Sequence, residues 1–112
     1  MKAISVKQPW ASMIAQGKKT IETRTWTTKH RGEILIVASK APEIDGLPVG
    51  LALCVAEIID CRPMIKPDES CACCKKYDDV FSWILKNIKP VIPFPVQGRL
   101  GLYQVDTPFF LS

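Results

Sequence analysis

Apolar positions along this chain alternate or run continuously more often than they recur at helical spacing, so the pattern reads mainly as strands. Lys2 to Val6 is a short strand with apolar Ile4 among more polar neighbours. Pro9 suits a first helical turn, Trp10, Met13 and Ile14 recur at helical spacing through Ala15, and Gly17 is a natural stop. Thr20 to Trp26 then alternates, with Thr20, Glu22, Arg24 and Trp26 on one face and Ile21, Thr23 and Thr25 on the other. Glu33 to Ser39 is a strongly apolar strand. A second long strand runs from about Gly50 to Asp60, and its near-continuous apolar character implies burial on both faces.

The remainder is more broken. Arg62 to Lys76 reads as irregular, with Pro63, Pro67 and a cysteine cluster. Tyr77 to Ile88 fits an amphipathic helix: Val80, Phe81, Ile84, Leu85 and Ile88 form one stripe, Asp78 and Asp79 sit at its start, and Lys86 and Lys89 at its end. Trp83 falls off that stripe and is expected to be partly exposed. Pro90 to Pro95 can only be extended or edge-like, and Leu100 to Val105 is a last strand after the Gly98 turn. Strands outnumber helices, which predicts an α+β, mainly β fold: a small, partly open β-barrel with short helices closing its ends. The 112 residues are expected to form a single domain, 1–112.

Against this framework one stretch is not explained by core building. Gly17 to Arg24 fits G-x-K-x-x-E-x-R, through Lys19, Glu22 and Arg24. Glu22 and Arg24 lie two apart on a strand and so project into one space, with Lys19 expected at its mouth. Two cationic donors and one acceptor suit a planar polar ligand such as a nucleobase with its phosphate. Arg24 can contact a phosphate or carbonyl bidentately, and Glu22 can accept from an amino group or hold Arg24 in place. The plainer alternative is a surface ion-pair cluster of little energetic weight. Trp26 shares the face of Glu22 and Arg24 and is placed to stack on a base, whereas Trp10 is read as core packing.

Further walls are weaker candidates. Gln8 and Ser5 could reach a ligand at the helix start, although a helix-capping role fits Gln8 as well. Ser39 and Lys40 end a buried strand near the cleft rim, and Arg99 in Gln97-Gly98-Arg99 could add a phosphate contact. Glu57, in an apolar strand, needs a partner if buried, and Arg24 or Lys19 would serve. No Ser-His-Asp or Cys-His set is evident around His30, the one histidine.

Charge sharpens the picture. The net charge is +4, but residues 1–40 carry eight basic and two acidic side chains, so the excess gathers around the motif. Local positive charge draws phosphates and makes binding salt-dependent, although a lysine-rich soluble surface would look the same. The five cysteines include Cys61, Cys71, Cys73 and Cys74, whose spacing is wrong for paired C-x-x-C zinc knuckles, so no metal is expected. Cys54 reads as core, and exposed thiols beside Lys75 and Lys76 would be open to oxidation. No signal peptide or membrane span is apparent, and a cytoplasmic location is the default expectation.

The motif resembles the signature of the ASCH family, small domains of the PUA-like superfold. Lys2 to Ala11 resembles the opening strand and helix of small bacterial and phage members. Arg31 to Ser39, Val55 to Cys61 and Pro95 to Tyr103 resemble later strands, so the likeness runs from Lys2 to about Asp106. It implies a PUA-like barrel with a nucleotide-sized cleft between a helix and the sheet. It also implies a module that binds RNA or a modified nucleotide or nucleoside, without a cofactor. Lys19, Glu22 and Arg24 would form the cleft floor, with Trp26, Gln8, Lys40 and Arg99 as walls. Nothing fixes the oligomeric state, and a monomer is expected. The alternative is a small hydrolase, either a ribonuclease or an acetylcytidine amidohydrolase, with Lys19 and Glu22 as catalytic groups. The family's amidohydrolases carry a threonine three residues after the lysine; here Glu22 stands there, and Thr20 and Thr23 are out of register.

Overall fold

The structure, a computed structural model, describes residues 1–106. It contains β1 (Lys2–Val6), α1 (Trp10–Ala15), β2 (Ile21–Arg24), β3 (Gly32–Ala38) and β4 (Leu51–Pro63). A single 3₁₀ turn (Lys66–Asp68) leads into α2 (Glu69–Ala72), followed by β5 (Phe81–Pro95) and β6 (Leu102–Gln104). The strands form one curled, half-barrel sheet in the order β2-β5-β4-β3-β1-β6. Among the described strands only β1 and β3 pair in parallel. A parallel pair needs a long crossover, and α1 and β2 both lie within it.

The apolar runs explain why the sheet is buried on both sides. Along β3, Ile34, Ile36 and Ala38 join Ile4, Val6 and Ile58 in one cluster, which also packs Ala11 and Ile14 of α1. Leu35 and Val37 point the other way, onto Ala3, Ala52, Val55 and Tyr103. The period-two alternation survives, but both faces are apolar because both are covered. Cys54 lies inside the first cluster, as its apolar context predicts, and burial pushes its thiol up to about 12. Gly17, at φ +78, turns the chain out of α1 in the left-handed region where glycine has no Cβ penalty.

Four expectations are corrected. The helix expected over Tyr77 to Ile88 is instead a turn followed by the first half of β5. The residues of its apparent helical stripe divide between two clusters: Leu85, Phe81 and Ile88 pack in the main core, Val80 and Ile84 beside Ile21 and Met64. Residues 81–84 pair with β2 on one side, and β5 pairs with β4 along its length. Trp83 is 1% exposed rather than partly exposed, because it lies opposite Glu22 across the β2–β5 pair and packs in the main core. The stretch after Arg62 is more ordered than expected, since β4 extends to Pro63 and α2 follows. Glu57 accepts a 2.7 Å hydrogen bond from Asn87 Nδ2 on β5, not from Arg24 or Lys19.

Candidate nucleotide-binding cleft

Lys19 follows the turn out of α1, and Glu22 and Arg24 follow on β2. Lys19 is not at a mouth, as the sequence pattern implied, but is 2% exposed. Its Nζ donates to the carbonyl of Ala72 at the end of α2 and lies 3.7 Å from Glu22 Oε1, an ion-pair distance rather than a hydrogen bond. Glu22 Oε1 accepts from the Thr23 backbone N–H at 3.1 Å. Glu22 Oε2 accepts from both Nε and Nη2 of Arg24, at 3.1 and 2.9 Å. Arg24 Nη2 also donates to the Ser5 carbonyl at 2.7 Å. That last bond crosses the open side of the half-barrel, from β2 at one end of the sheet to β1 near the other. At Ser5, β6 no longer pairs with β1, so a side chain spans where no strand does.

The buried lysine depends on α2, and α2 depends on a second ion pair. Asp68 is 5% exposed and accepts from Arg62 Nη1 and Nη2 at 2.7 and 2.9 Å. It also accepts from the Ile65 N–H at 3.0 Å and the Ser82 hydroxyl at 2.9 Å. The Arg62 hydrogen bonds, followed by those from Ile65 and Ser82, outweigh burial and hold the Asp68 carboxyl far below the ordinary carboxylate range. This ties the short 3₁₀–α2 unit to β4 and β5. The Thr20 N–H donates to the Cys71 carbonyl at 3.0 Å, completing the seam between α2 and β2.

The three motif residues line one cleft of about 950 Å³, within the range of small-ligand sites. Among the described residues, five cationic side chains line it, Lys7, Lys19, Arg24, Lys40 and Arg99, against one acidic residue, Glu22. Ser5, Ser39, Gly50 and Gly98 line it as well. Gly98 packs so tightly on β1 that a Cβ there would lie 3.0 Å from Ser5 Oγ, so the Arg99 loop is held against the cleft.

Of the expected walls, Trp26, Lys40 and Arg99 line the cleft, and Gln8 does not. Gln8 is 1% exposed; its Nε2 donates to Ser12 Oγ and the Pro48 carbonyl, both at 2.8 Å, and its Oε1 accepts from the Ser12 N–H. The amide is consumed in pinning the start of α1. Trp26 packs edge-on against Trp83, with centroids 4.8 Å apart and planes at 87°, which fixes its ring. Trp10, read from sequence as core, is 38% exposed and lines the cleft, as does Tyr77. Lys7 was missed too; its position just before Pro9 and Trp10, between strand and helix, was the available signal. Thr23 also lines the cleft, although strand alternation set it on the opposite face from Glu22.

The profile of the ASCH domain matches residues 4–95. This chain belongs to the ASCH family. The match runs from within β1 to the end of β5 and takes in Lys19, Glu22 and Arg24. Activating signal cointegrator 1 of Homo sapiens is 31% identical across 93% of this chain, and its Mus musculus counterpart 30%. This ASCH domain spans only 22% of the length of each of these relatives. Among solved structures, ASCH from Zymomonas mobilis superimposes with a TM-score of 0.72 at 18% identity, covering 94% of this chain and 87% of that one. A single-substitution variant of it gives 0.69 at 16% identity, over 94% and 89%. These likenesses establish the PUA-like half-barrel, a fold linked at the level of the family to RNA binding.

The cysteines of this ASCH domain are free, and among the described residues no three His, Cys, Asp or Glu side chains converge as a metal cluster. No helix among those residues is long and apolar enough to cross a membrane.

Proposed function

We propose that this ASCH domain binds RNA, or a modified nucleotide, in the basic cleft built on Lys19, Glu22 and Arg24. The supporting observation is the combination in one 950 Å³ cleft of five cations, one anion and the rings of Trp10, Trp26 and Tyr77. Phosphates need cations, and unstacked bases need aromatic faces. Lys7, Lys40 and Arg99, which line the cleft, take the phosphates. Lys19 donates to a base or sugar oxygen reaching the floor, because its ammonium has three N–H donors and Ala72 takes one. Glu22 holds both cations in place and leaves Arg24 partly open to the ligand, with its side chain 25% exposed. Trp10 and Trp26 offer the stacking faces.

Fluorescence anisotropy with labelled single-stranded RNAs tests this at two salt concentrations. Contact with three phosphates gives a log–log salt slope of about −2. Salt-insensitive binding, or none, would remove the proposal.

A second reading, a small hydrolase on the same floor, is favoured by one observation. Lys19 and Glu22 lie 3.7 Å apart where a bound group would arrive, and Thr23 lines the same space. Incubation with acetylated nucleosides and RNA, compared with Lys19→Ala, separates the two. Binding without product leaves a recognition module, and product lost with Lys19→Ala makes it an enzyme.

A further inference from the structure

The segment Cys71-Ala72-Cys73-Cys74 sets three cysteines beside Ala72, whose carbonyl accepts from Lys19 Nζ. They are not equivalent. Cys71 is exposed to open solvent. Cys73 Sγ donates toward the Lys18 and Ser70 carbonyls at 3.5 and 3.7 Å. Cys74 lines the cleft, with its Sγ 3.9 Å from Thr23 Oγ1 on β2. Cys54 lies in the core with its thiol proton held firmly, so it takes no part. Cationic Lys18, Lys75 and Lys76, all exposed, flank the cluster, and the cleft beyond Cys74 carries the cations already named. A thiol at the wall of a positively charged cleft meets anionic reagents at raised local concentration.

We infer that Cys74 is a thiol–disulfide exchange site that takes an anionic low-molecular-weight disulfide and forms a mixed disulfide inside the cleft. The Cys74 thiolate attacks one sulfur of the reagent. Its S–S bond breaks, a new one forms to Cys74, and the departing half leaves as a thiolate that takes up the proton Cys74 released. Cys74 is oxidised and the departing half reduced, so no further oxidant enters. The adduct occupies the space beside Thr23 and Lys19 and loads its carboxylates onto the cleft cations. It thereby excludes a nucleotide, a consequence that rests on the function proposed above. A thiol reductant reverses it.

The test treats the protein with glutathione disulfide and follows each cysteine by peptide mass mapping over time. The expected result is an adduct on Cys74 forming several-fold faster than on Cys71 or Cys73. The Cys74 rate should fall as salt is raised, whereas neutral hydroxyethyl disulfide shows no such fall. Equal rates at Cys71 and Cys74, or the same salt response for both reagents, would overturn the siting, and neither readout requires RNA binding. With RNA present, modification of Cys74 should slow while that of Cys71 does not, and the adduct should abolish RNA binding. Cys74→Ser should bind RNA normally and lose the disulfide sensitivity. An adduct on Cys74 that leaves RNA affinity unchanged would overturn the exclusion while leaving both the exchange site and the RNA-binding reading intact.

Discussion

Glu22 and Asp68 are two nearly buried carboxylates, each holding an arginine through two N–H donors, yet they do different things. Asp68 is enclosed by protein donors: Arg62 twice, the Ile65 backbone and the Ser82 hydroxyl. Glu22 is satisfied with equal care by Arg24 and Thr23, but it and both its cationic neighbours face a cleft. The first network is closed and fixes a short helical unit. The second is built as tightly but stops at an opening. What separates a structural ion pair from a candidate site here is therefore not burial or geometry but whether the space in front of it is filled.

The largest effect should come from breaking the closed network. Asp68→Ala should lower unfolding free energy by about 2–3 kcal/mol, because it removes a nearly buried carboxylate and takes the acceptor from the Ser82 hydroxyl and the Ile65 N–H, while partly exposed Arg62 returns to water. Glu22→Gln, which keeps an acceptor beside a partly solvated arginine, should cost about 1–2 kcal/mol. Urea denaturation of both variants measures the order, and a reversed order would make the cleft-side network the structural one.

Acid should reach the same closed network without a mutation. Folding depresses the Asp68 carboxyl, so the folded state binds its proton less readily than the unfolded chain does. Its contribution is therefore complete above the ordinary value of 3.8 and is lost as pH falls below it toward the lower folded value. Thermal unfolding between pH 5 and about 2 should show a loss of stability that is smaller in Asp68→Asn. An identical loss in that variant would assign acid sensitivity to other groups.

On the open side the effects belong to binding. Arg24→Ala should weaken RNA binding by about 1–3 kcal/mol, the scale of a charge-assisted contact, and unchanged affinity would take Arg24 out of the site. Trp10→Ala should weaken it by about 1 kcal/mol, the low end for one stacked base. Its unfolding midpoint should move little, because the ring is 38% exposed. A large loss of stability in that variant would return Trp10 to the core.

The sequence made the open network partly legible. Glu22 and Arg24 share a strand face because alternation is local, and two positions suffice to see it. The depth of Lys19 was not visible, because its acceptor, the Ala72 carbonyl, lies 53 residues further along the chain. The two tryptophans show a related failure. Trp10 sits on a helical apolar stripe yet projects at the cleft, whereas Trp83 fell off a stripe that was never helical and lies opposite Glu22 in the core. β3 and β4 were readable because continuous apolar runs have few other uses, and β1 because Ile4 stands among more polar neighbours. The first half of β5 was not, because its apolar residues, divided between two clusters, also fall at helical spacing. Its proline-rich second half was legible as extended, since three prolines forbid a helix.

The bond from Arg24 to the Ser5 carbonyl has a mechanical meaning. It works as a clasp between two margins of a sheet that never close through backbone pairing, and the same guanidinium faces the cleft. A guest that draws Nη2 away from Ser5 unfastens the curl as it binds, so its observed affinity is the contact it gains less the clasp it releases. In the proposed binding mode, the ligand and this cross-sheet bond would thus compete for one guanidinium nitrogen.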